Sequence, residues 1–234
     1  MLPKGENLMK GEINYEKLKG EAINWGIDLF GVADLKEVKK LKVLELQEDI
    51  TSRFPYAVSM GIALCKGVME EIIDHPTLFY LHHYRQANYV LDQIAFRVSK
   101  LIERLGGKAL PIAASQIVDW ENQMAHLDHK TIAELAGLGW RGKNNLLVTP
   151  QYGARIRLLT ILTDLELKPD KPYEGPRCGD CKSCKSVCPV GAIGDDVSEF
   201  DHLKCFEKLK EFRKKYNLNQ YICGICVRAC GPKL

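Results

Sequence analysis

The stretch CGDCKSCKSVCP, from Cys178 to Pro189, decides how the chain is read. Cys178, Cys181, Cys184 and Cys188 follow C-x-x-C-x-x-C-x-x-x-C spacing, and Pro189 comes directly after. Loops of two residues can wrap one corner of an iron–sulfur cubane and aim their amides at its sulfurs. A second group, Cys223, Cys226 and Cys230, follows, with Cys205 between the two. Eight of the nine cysteines thus fall between Cys178 and Cys230, and eight thiolates divide evenly into two cubanes. In such a run the cysteine beside the proline is carried away to the other cluster. That crossing predicts one set of Cys178, Cys181, Cys184 and Cys230, and another of Cys188, Cys205, Cys223 and Cys226.

This is the spacing of bacterial ferredoxins, and the continuation Cys-Pro-x-Gly-Ala-Ile is ferredoxin-like as well. Zinc also uses paired C-x-x-C motifs, but it leaves the triple C-x-x-C-x-x-C unexplained. Disulfides would suit a small exported chain. The opening MLPKGENLMKGEINYEKL, however, has neither an apolar signal core nor a twin-arginine pair, so a reducing cytoplasm is expected. No apolar run approaches the roughly 18 residues of a membrane span. Lys and Arg exceed Asp and Glu by 33 to 30, a net charge of +3. That is too small an excess to imply a nucleic-acid coat. With 46% hydrophobic and 27% charged residues over 234 positions, general disorder is excluded. The ninth cysteine, Cys65, stands alone in FPYAVSMGIALC and is expected in the core, since a free cysteine packs as a small hydrophobe.

Outward from the cysteines, LKPDKPYEGPR reads as a linker. It divides an α/β body over 1–167 from a cysteine-rich module over 168–234. In the body, Leu18, Ala22 and Trp25 share one face of a helix over Tyr15 to Trp25, and Gly26 stops it. DLFGVADL and the stretch from Phe54 to Cys65 read as strands. The strongest helix spans Tyr89 to Leu105, with Leu91, Ile94, Ala95, Val98, Leu101, Ile102 and Leu105 at helical spacing before Gly106-Gly107. ALPIAASQIV is read as a strand, TIAELAG as a short helix opening near Asp128, and RIRLLTILTDL as a further strand. Gly137-x-Gly139-x-x-Gly142 imitates a dinucleotide fingerprint, but it follows a helix where a strand is required. Gly137 through Lys143 is nearly a P-loop, but Asn144 stands where Ser or Thr should hold magnesium. These glycines are expected to let backbone approach another surface closely, either a packed strand or a flat cofactor.

YRQANYVL, then AELAGLGWRGKNNLLVTPQYGARIRLLTILTDLEL, then the cysteine array resemble the epoxyqueuosine reductase family. The wider group includes the cobalamin-dependent reductive dehalogenases. The resemblance implies an α/β, nitroreductase-like core that binds cobalamin, followed by a ferredoxin-like module with two [4Fe–4S] clusters. It implies an electron donor such as ferredoxin or flavodoxin. It also implies a substrate on tRNA, a queuosine precursor whose epoxide is reduced to an alkene with loss of water. Carried over by position, Gly137, Gly139, Trp140, Gly142 and Lys143 would lie near the corrinoid. From Lys204 to Lys215 six basic residues face two acidic ones. They could meet a tRNA backbone or form a solvated helix face.

Two departures stand out. The family's general acid is an aspartate upstream of AGLGW, and the matching position is Gln123, which cannot supply a proton. Nearby Asp119, Glu121, His126, Asp128 and His129 could substitute, although a surface or capping role suits each. His126 is the first substitute, because an imidazole titrates near neutrality. Asp128 is a natural N-cap. Of the adjacent pair His82 and His83, at most one can face a site. The second departure is length: the sequence stops at Leu234 and reads as a short form without the family's helical-repeat domain. A corrinoid-dependent reductase, an electron-transfer protein without its own substrate, and a cluster-bearing structural or sensing protein are the three readings the sequence supports.

Overall fold

The structure is a computed structural model that describes residues 4–36, 38, 41, 43–45, 50–121 and 123–232, with side chains from Met9 onward. In its first half lie α1 (Lys4–Asn24), β1 (Leu29–Asp34), α2 (Ile50–Arg53), β2 (Tyr56–Ala63), α3 (Lys66–Glu70), α4 (Leu78–Arg104) and β3 (Ala109–Ile112). The second half continues with α5 (His129–Leu135), β4 (Trp140–Arg141), β5 (Leu147–Val148) and β6 (Ile156–Thr163). It ends with the helices α6 (Ser183–Ser186), α7 (His202–Lys215) and α8 (Ile225–Ala229). Two compact units emerge. One comprises Met1–Ile62, Asn88–Leu138 and Leu158–Tyr173; the other comprises Ala63–Ala87, Gly139–Arg157 and Glu174–Leu234.

The first unit is mixed α/β, built on a sheet of order β1-β2-β6-β3. β1 and β2 pair antiparallel from Leu29↔Gly61 to Asp34↔Tyr56, and β3 pairs antiparallel with β6 from Ala109↔Thr163 to Ile112↔Thr160. Apolar strands such as IRLLTILT bury both faces, so helices must cover them. The predicted stripe does so: Leu91, Ile94, Ala95, Val98 and Ile102 join Leu18 and Ala22 of α1 and Val32, Val58 and Met60 of the sheet in one core. Gly26 follows α1 at φ +104° and Gly106 follows α4 at φ +89°, both left-handed stops open to glycine. Gly31 in β1 meets a different demand, since a Cβ there would sit 2.4 Å from the Ala136 carbonyl oxygen at the end of α5. α4 begins at Leu78, well before the predicted Tyr89. The signal was present, because buried Tyr80, Tyr84 and Ala87 extend the same stripe toward Leu91. β3 ends at Ile112, short of the predicted Val118, where the Ala114 N–H turns to the Asp92 carboxylate at 2.9 Å.

The expected cut at 167/168 differs from the observed division. The first part of the predicted linker is strapped to the first unit: Lys168 N–H donates to the Gly11 carbonyl at 3.1 Å and Asp170 N–H to that of Val32 at 2.8 Å. In turn, the cysteine-rich unit draws in 63–87 and 139–157. There Leu64 N–H donates to the Arg155 carbonyl at 2.8 Å, and the Arg155 guanidinium returns a bond to the Leu64 carbonyl at 2.9 Å. β4 and β5 form a small antiparallel pair, Trp140↔Val148 and Arg141↔Leu147. Cys65 is a correction. It is exposed, because the chain has left β2 and the residue serves as N-cap of α3, its N–H donating to His83 Nε2 at 2.9 Å. Among the described residues no helix is long and apolar enough to cross a membrane.

Candidate metal centre

In the cysteine-rich unit, a cavity of about 280 Å³ is lined by Cys178, Cys181, Cys184 and Cys230 together with Lys143 and Asn144. Short elements set these thiols. Cys181 N–H closes a turn onto the Cys178 carbonyl at 3.0 Å, Cys184 lies within α6, and Cys230 is the C-cap of α8. Cys230 is further held by Gly153, which at φ +58° lets the two backbones touch; a Cβ there would lie 2.0 Å from the Cys230 carbonyl oxygen. The Cys184 thiol is raised above its ordinary range, first by burial and then by the neighbouring Cys178 and Cys181.

The other four cysteines also influence one another. Burial, then Cys188, raises the Cys205 thiol. Burial pushes Cys223 up to about 11, with Cys205 and Cys188 adding to it. Cys226 is pushed up further, first by burial and then by Cys223, Cys205, Cys184 and Cys188. Burial thus favours the neutral thiol at Cys184, Cys205, Cys223 and Cys226, and metal loading at these positions would release protons. Among the described residues no three His, Cys, Asp or Glu side chains converge tightly enough for a single ion. The soft thiol donors, four around one cavity and four more under mutual influence, fit the chemistry of iron–sulfur clusters, which spread their sulfur ligands over several irons.

The residues assigned by position to a corrinoid meet the protein's own chain. Gly137 is left-handed at φ +73°, and a Cβ there would lie 2.3 Å from the Lys171 carbonyl oxygen. A Cβ on Gly139 would lie 2.0 Å from the Val148 carbonyl oxygen, and one on Gly142 would lie 2.5 Å from the Val148 side chain. Trp140 is 2% exposed, and its indole Nε1–H donates to Cys178 Sγ at 3.3 Å. The Lys143 ammonium donates to the carbonyls of Gly179 at 2.7 Å and Cys181 at 3.2 Å, pinning the thiol loop. Asn144 is buried in the cavity wall; in sequence it stands out only as a departure from a P-loop, and nothing in its neighbours marks it as part of this site.

The candidates for an acid separate clearly. Gln123 sits at φ +56° in a turn, where its side-chain amide donates to the Trp120 carbonyl. Its flanks close as a bridge, Met124 N–H donating to the Asp119 carbonyl at 2.9 Å, and Glu121 is exposed. His126 lines a separate cavity of about 220 Å³ in the first unit, and its Nε2 lies 3.0 Å from Glu45 Oε2. Asp128 caps α5, accepting from Lys130 N–H at 3.2 Å, as its position suggested. His129 is engaged by Thr160 Oγ1 at 2.9 Å and the Ala113 carbonyl at 3.0 Å, a structural pairing. His82 is exposed, while His83 turns inward to the Cys65 N–H.

No family model matches the chain. It is 33% identical over 145 residues to an epoxyqueuosine reductase of Bacillus cereus, an alignment covering 58% of this chain and 36% of that protein. With the epoxyqueuosine reductase of Salmonella typhimurium it shares 28% over 183 residues, 74% of this chain and 46% of the relative. A tetrachloroethene reductive dehalogenase of Desulfitobacterium hafniense is 31% identical over 139 residues, 57% of this chain and 23% of the relative. In structure, a catabolic reductive dehalogenase in complex with 3-bromo-4-hydroxybenzoic acid superposes at TM-score 0.74 and 22% identity, over 98% of this chain and 33% of that one. The epoxyqueuosine reductase of Streptococcus thermophilus gives TM-score 0.58 at 21% identity, over 92% and 64% of the two chains. The chain therefore spans less than half the length of these curated relatives, and over that span it is similar in sequence to the epoxyqueuosine reductases and shares its fold with them and with the reductive dehalogenases.

Proposed function

We propose that the chain is an iron–sulfur oxidoreductase resembling epoxyqueuosine reductase, acting on an epoxide or a related electrophile of a tRNA queuosine precursor. The observation that carries the reading is the cavity walled by Cys178, Cys181, Cys184 and Cys230, in a chain related to enzymes of that name. In this reading those four thiols hold one [4Fe–4S] cluster, and Cys188, Cys205, Cys223 and Cys226 hold the other, in a ferredoxin-like module. An α/β, nitroreductase-like core preceding the cysteine array would hold cobalamin. When bound, the clusters supply electrons singly and the corrinoid supplies a strongly reducing centre. The net change consumes two electrons and two protons and yields an alkene and water.

The chain's own part is to hold the clusters, exclude water and deliver protons. Gln123 has no proton to give. His126, with Glu45 against its Nε2, is the donor toward the departing oxygen. A related structure contains an epoxyqueuosine reductase with an epoxyqueuosine-modified tRNA stem loop, which supports tRNA as the substrate carrier. On α7, Lys204 pairs with Asp201, Lys208 with Glu211 and Lys210 with Glu207, so the basic end at Lys214 and Lys215 is the part best suited to phosphate. A cytoplasmic location and a ferredoxin or flavodoxin donor complete the reading.

The test is electron paramagnetic resonance of protein reconstituted anaerobically with iron, sulfide and cobalamin, then freed of excess. Stoichiometric cobalt(II) beside reduced-cluster signals, followed by conversion of epoxide-bearing tRNA, is the expected result. A second reading, an electron-transfer protein without cobalamin, is favoured by Gly139 and Gly142, whose missing side chains already serve packing against Val148. Clusters without retained cobalt would select it.

A further inference from the structure

The geometry points to Trp140 and Asn144 as the residues that set the reduction potential of the cluster at Cys178, Cys181, Cys184 and Cys230. The inference rests on the cluster reading above and deepens it. Hydrogen bonds to cluster or ligand sulfur stabilise the more negative, reduced state and raise the potential. Trp140 supplies one such donor, its Nε1–H already 3.3 Å from Cys178 Sγ. An indole N–H can only donate, and in a side chain 2% exposed it has no water to turn to.

Asn144 supplies the second. It is 3% exposed and lines the four-thiol cavity. Its Oδ1 accepts from Leu146 N–H at 3.3 Å, which fixes the orientation of the amide. Its Nδ2 is then left buried with no hydrogen-bond partner. A buried amide donor without a partner is destabilising, and here it borders a cavity lined by cysteines. A cluster in that cavity provides the missing acceptor. Trp140 and Asn144 flank Lys143, whose two bonds to the Gly179 and Cys181 carbonyls hold the thiol loop in range. Cys188, in the other set, receives a backbone donor, Ala192 N–H onto its Sγ at 3.3 Å.

The experiment is a redox titration of the reconstituted full chain, followed by electron paramagnetic resonance, with iron content measured on every sample. Trp140→Phe and Asn144→Ala are each expected to retain iron and to lower the potential of one cluster only. Together they should reduce its reduced-to-oxidised ratio at fixed potential about tenfold, equivalent to about 59 mV for a one-electron couple. The unshifted second cluster is the internal control. Unchanged or raised potentials with full iron overturn the inference. Should Trp140→Phe fail to hold iron, Asn144→Ala decides alone, since removing a side chain there introduces no clash. Wild-type protein that takes up no clusters would instead overturn the underlying reading, which separates the two failures.

Discussion

The Tyr15 hydroxyl donates to one oxygen of Asp170 at 3.2 Å, while the other oxygen accepts the Val32 N–H at 2.9 Å. One carboxylate thus joins α1, the edge strand β1 and the segment that leaves the first unit. Burial, then Asp170, raises the Tyr15 phenol, so it remains a donor throughout the neutral range. Asp170→Ala strands both donors and should cost about 1–3 kcal/mol, whereas Tyr15→Phe removes one partner and should cost about 1 kcal/mol. Urea unfolding at equal iron content measures both; equal losses would contradict the two-donor account.

Cys184→Ala removes a thiol from the four-cysteine cavity and should lose one cluster's absorbance and roughly half the iron, as expected for eight ligands shared by two cubanes. Cys65→Ala, outside both sets, should leave iron unchanged. Iron retained in full by Cys184→Ala would sink the ligand assignment.

His126→Ala should slow turnover by about 10²-fold or more, the usual contribution of a general acid, with cofactor content unaltered. Glu45→Gln tests the partner at 3.0 Å and should cause a smaller loss. Full turnover in His126→Ala would remove the histidine from the mechanism.

Glycine substitutions should divide by what lies beside them. Gly153→Ala forces a Cβ toward the Cys230 carbonyl at a residue with φ +58°, and should loosen the cluster proposed at Cys230. Gly67, inside α3, has nothing within 4 Å of an added Cβ. Gly67→Ala should therefore raise stability by about 0.5–1 kcal/mol. Iron content and thermal melts of the pair are the measurements, and iron loss in Gly67→Ala would upset the steric argument.

His83 gives a pH signature. Burial, then His82, lowers its pKa from the usual histidine value of 6.5. A depressed folded pKa means the unfolded chain binds the extra proton first. The contribution to stability is thus fully present above the ordinary histidine range and declines as pH falls through it toward the folded value. Protonation also removes the acceptor for the Cys65 N–H. Replacing His83 by Leu should flatten this part of the stability–pH profile; an identical slope in the variant would refute it.

Much of the first unit could be read from residue patterns. Leu91, Ile94, Val98 and Ile102 mark α4 because each is buried once per turn, and Asp128 marks the start of α5 because its side chain replaces a missing backbone acceptor. The early turns of α4 are less legible because buried Tyr80 and Tyr84 stand in a run where exposed Leu78 and Phe79 are apolar too, which blurs the stripe. Other features depend on pairs far apart in sequence. Nothing in the local pattern ties Trp140 to Cys178, Gly153 to Cys230 or Leu64 to Arg155, and those pairs make 63–87 and 139–157 part of the cysteine-rich unit. Cys65 departs from expectation for a related reason: a run of apolar residues does not show where a strand ends.

The interleaving of that unit has a bearing on inheritance. A motif of clustered cysteines invites treatment as a cassette, to be moved between genes or expressed alone. Here the walls of its first cavity include Lys143 and Asn144, and its last cysteine rests on Gly153. A transplant beginning at Cys178 would leave those supports behind. Recombination that keeps the four-thiol cavity intact must carry 139–157 along with the cysteines.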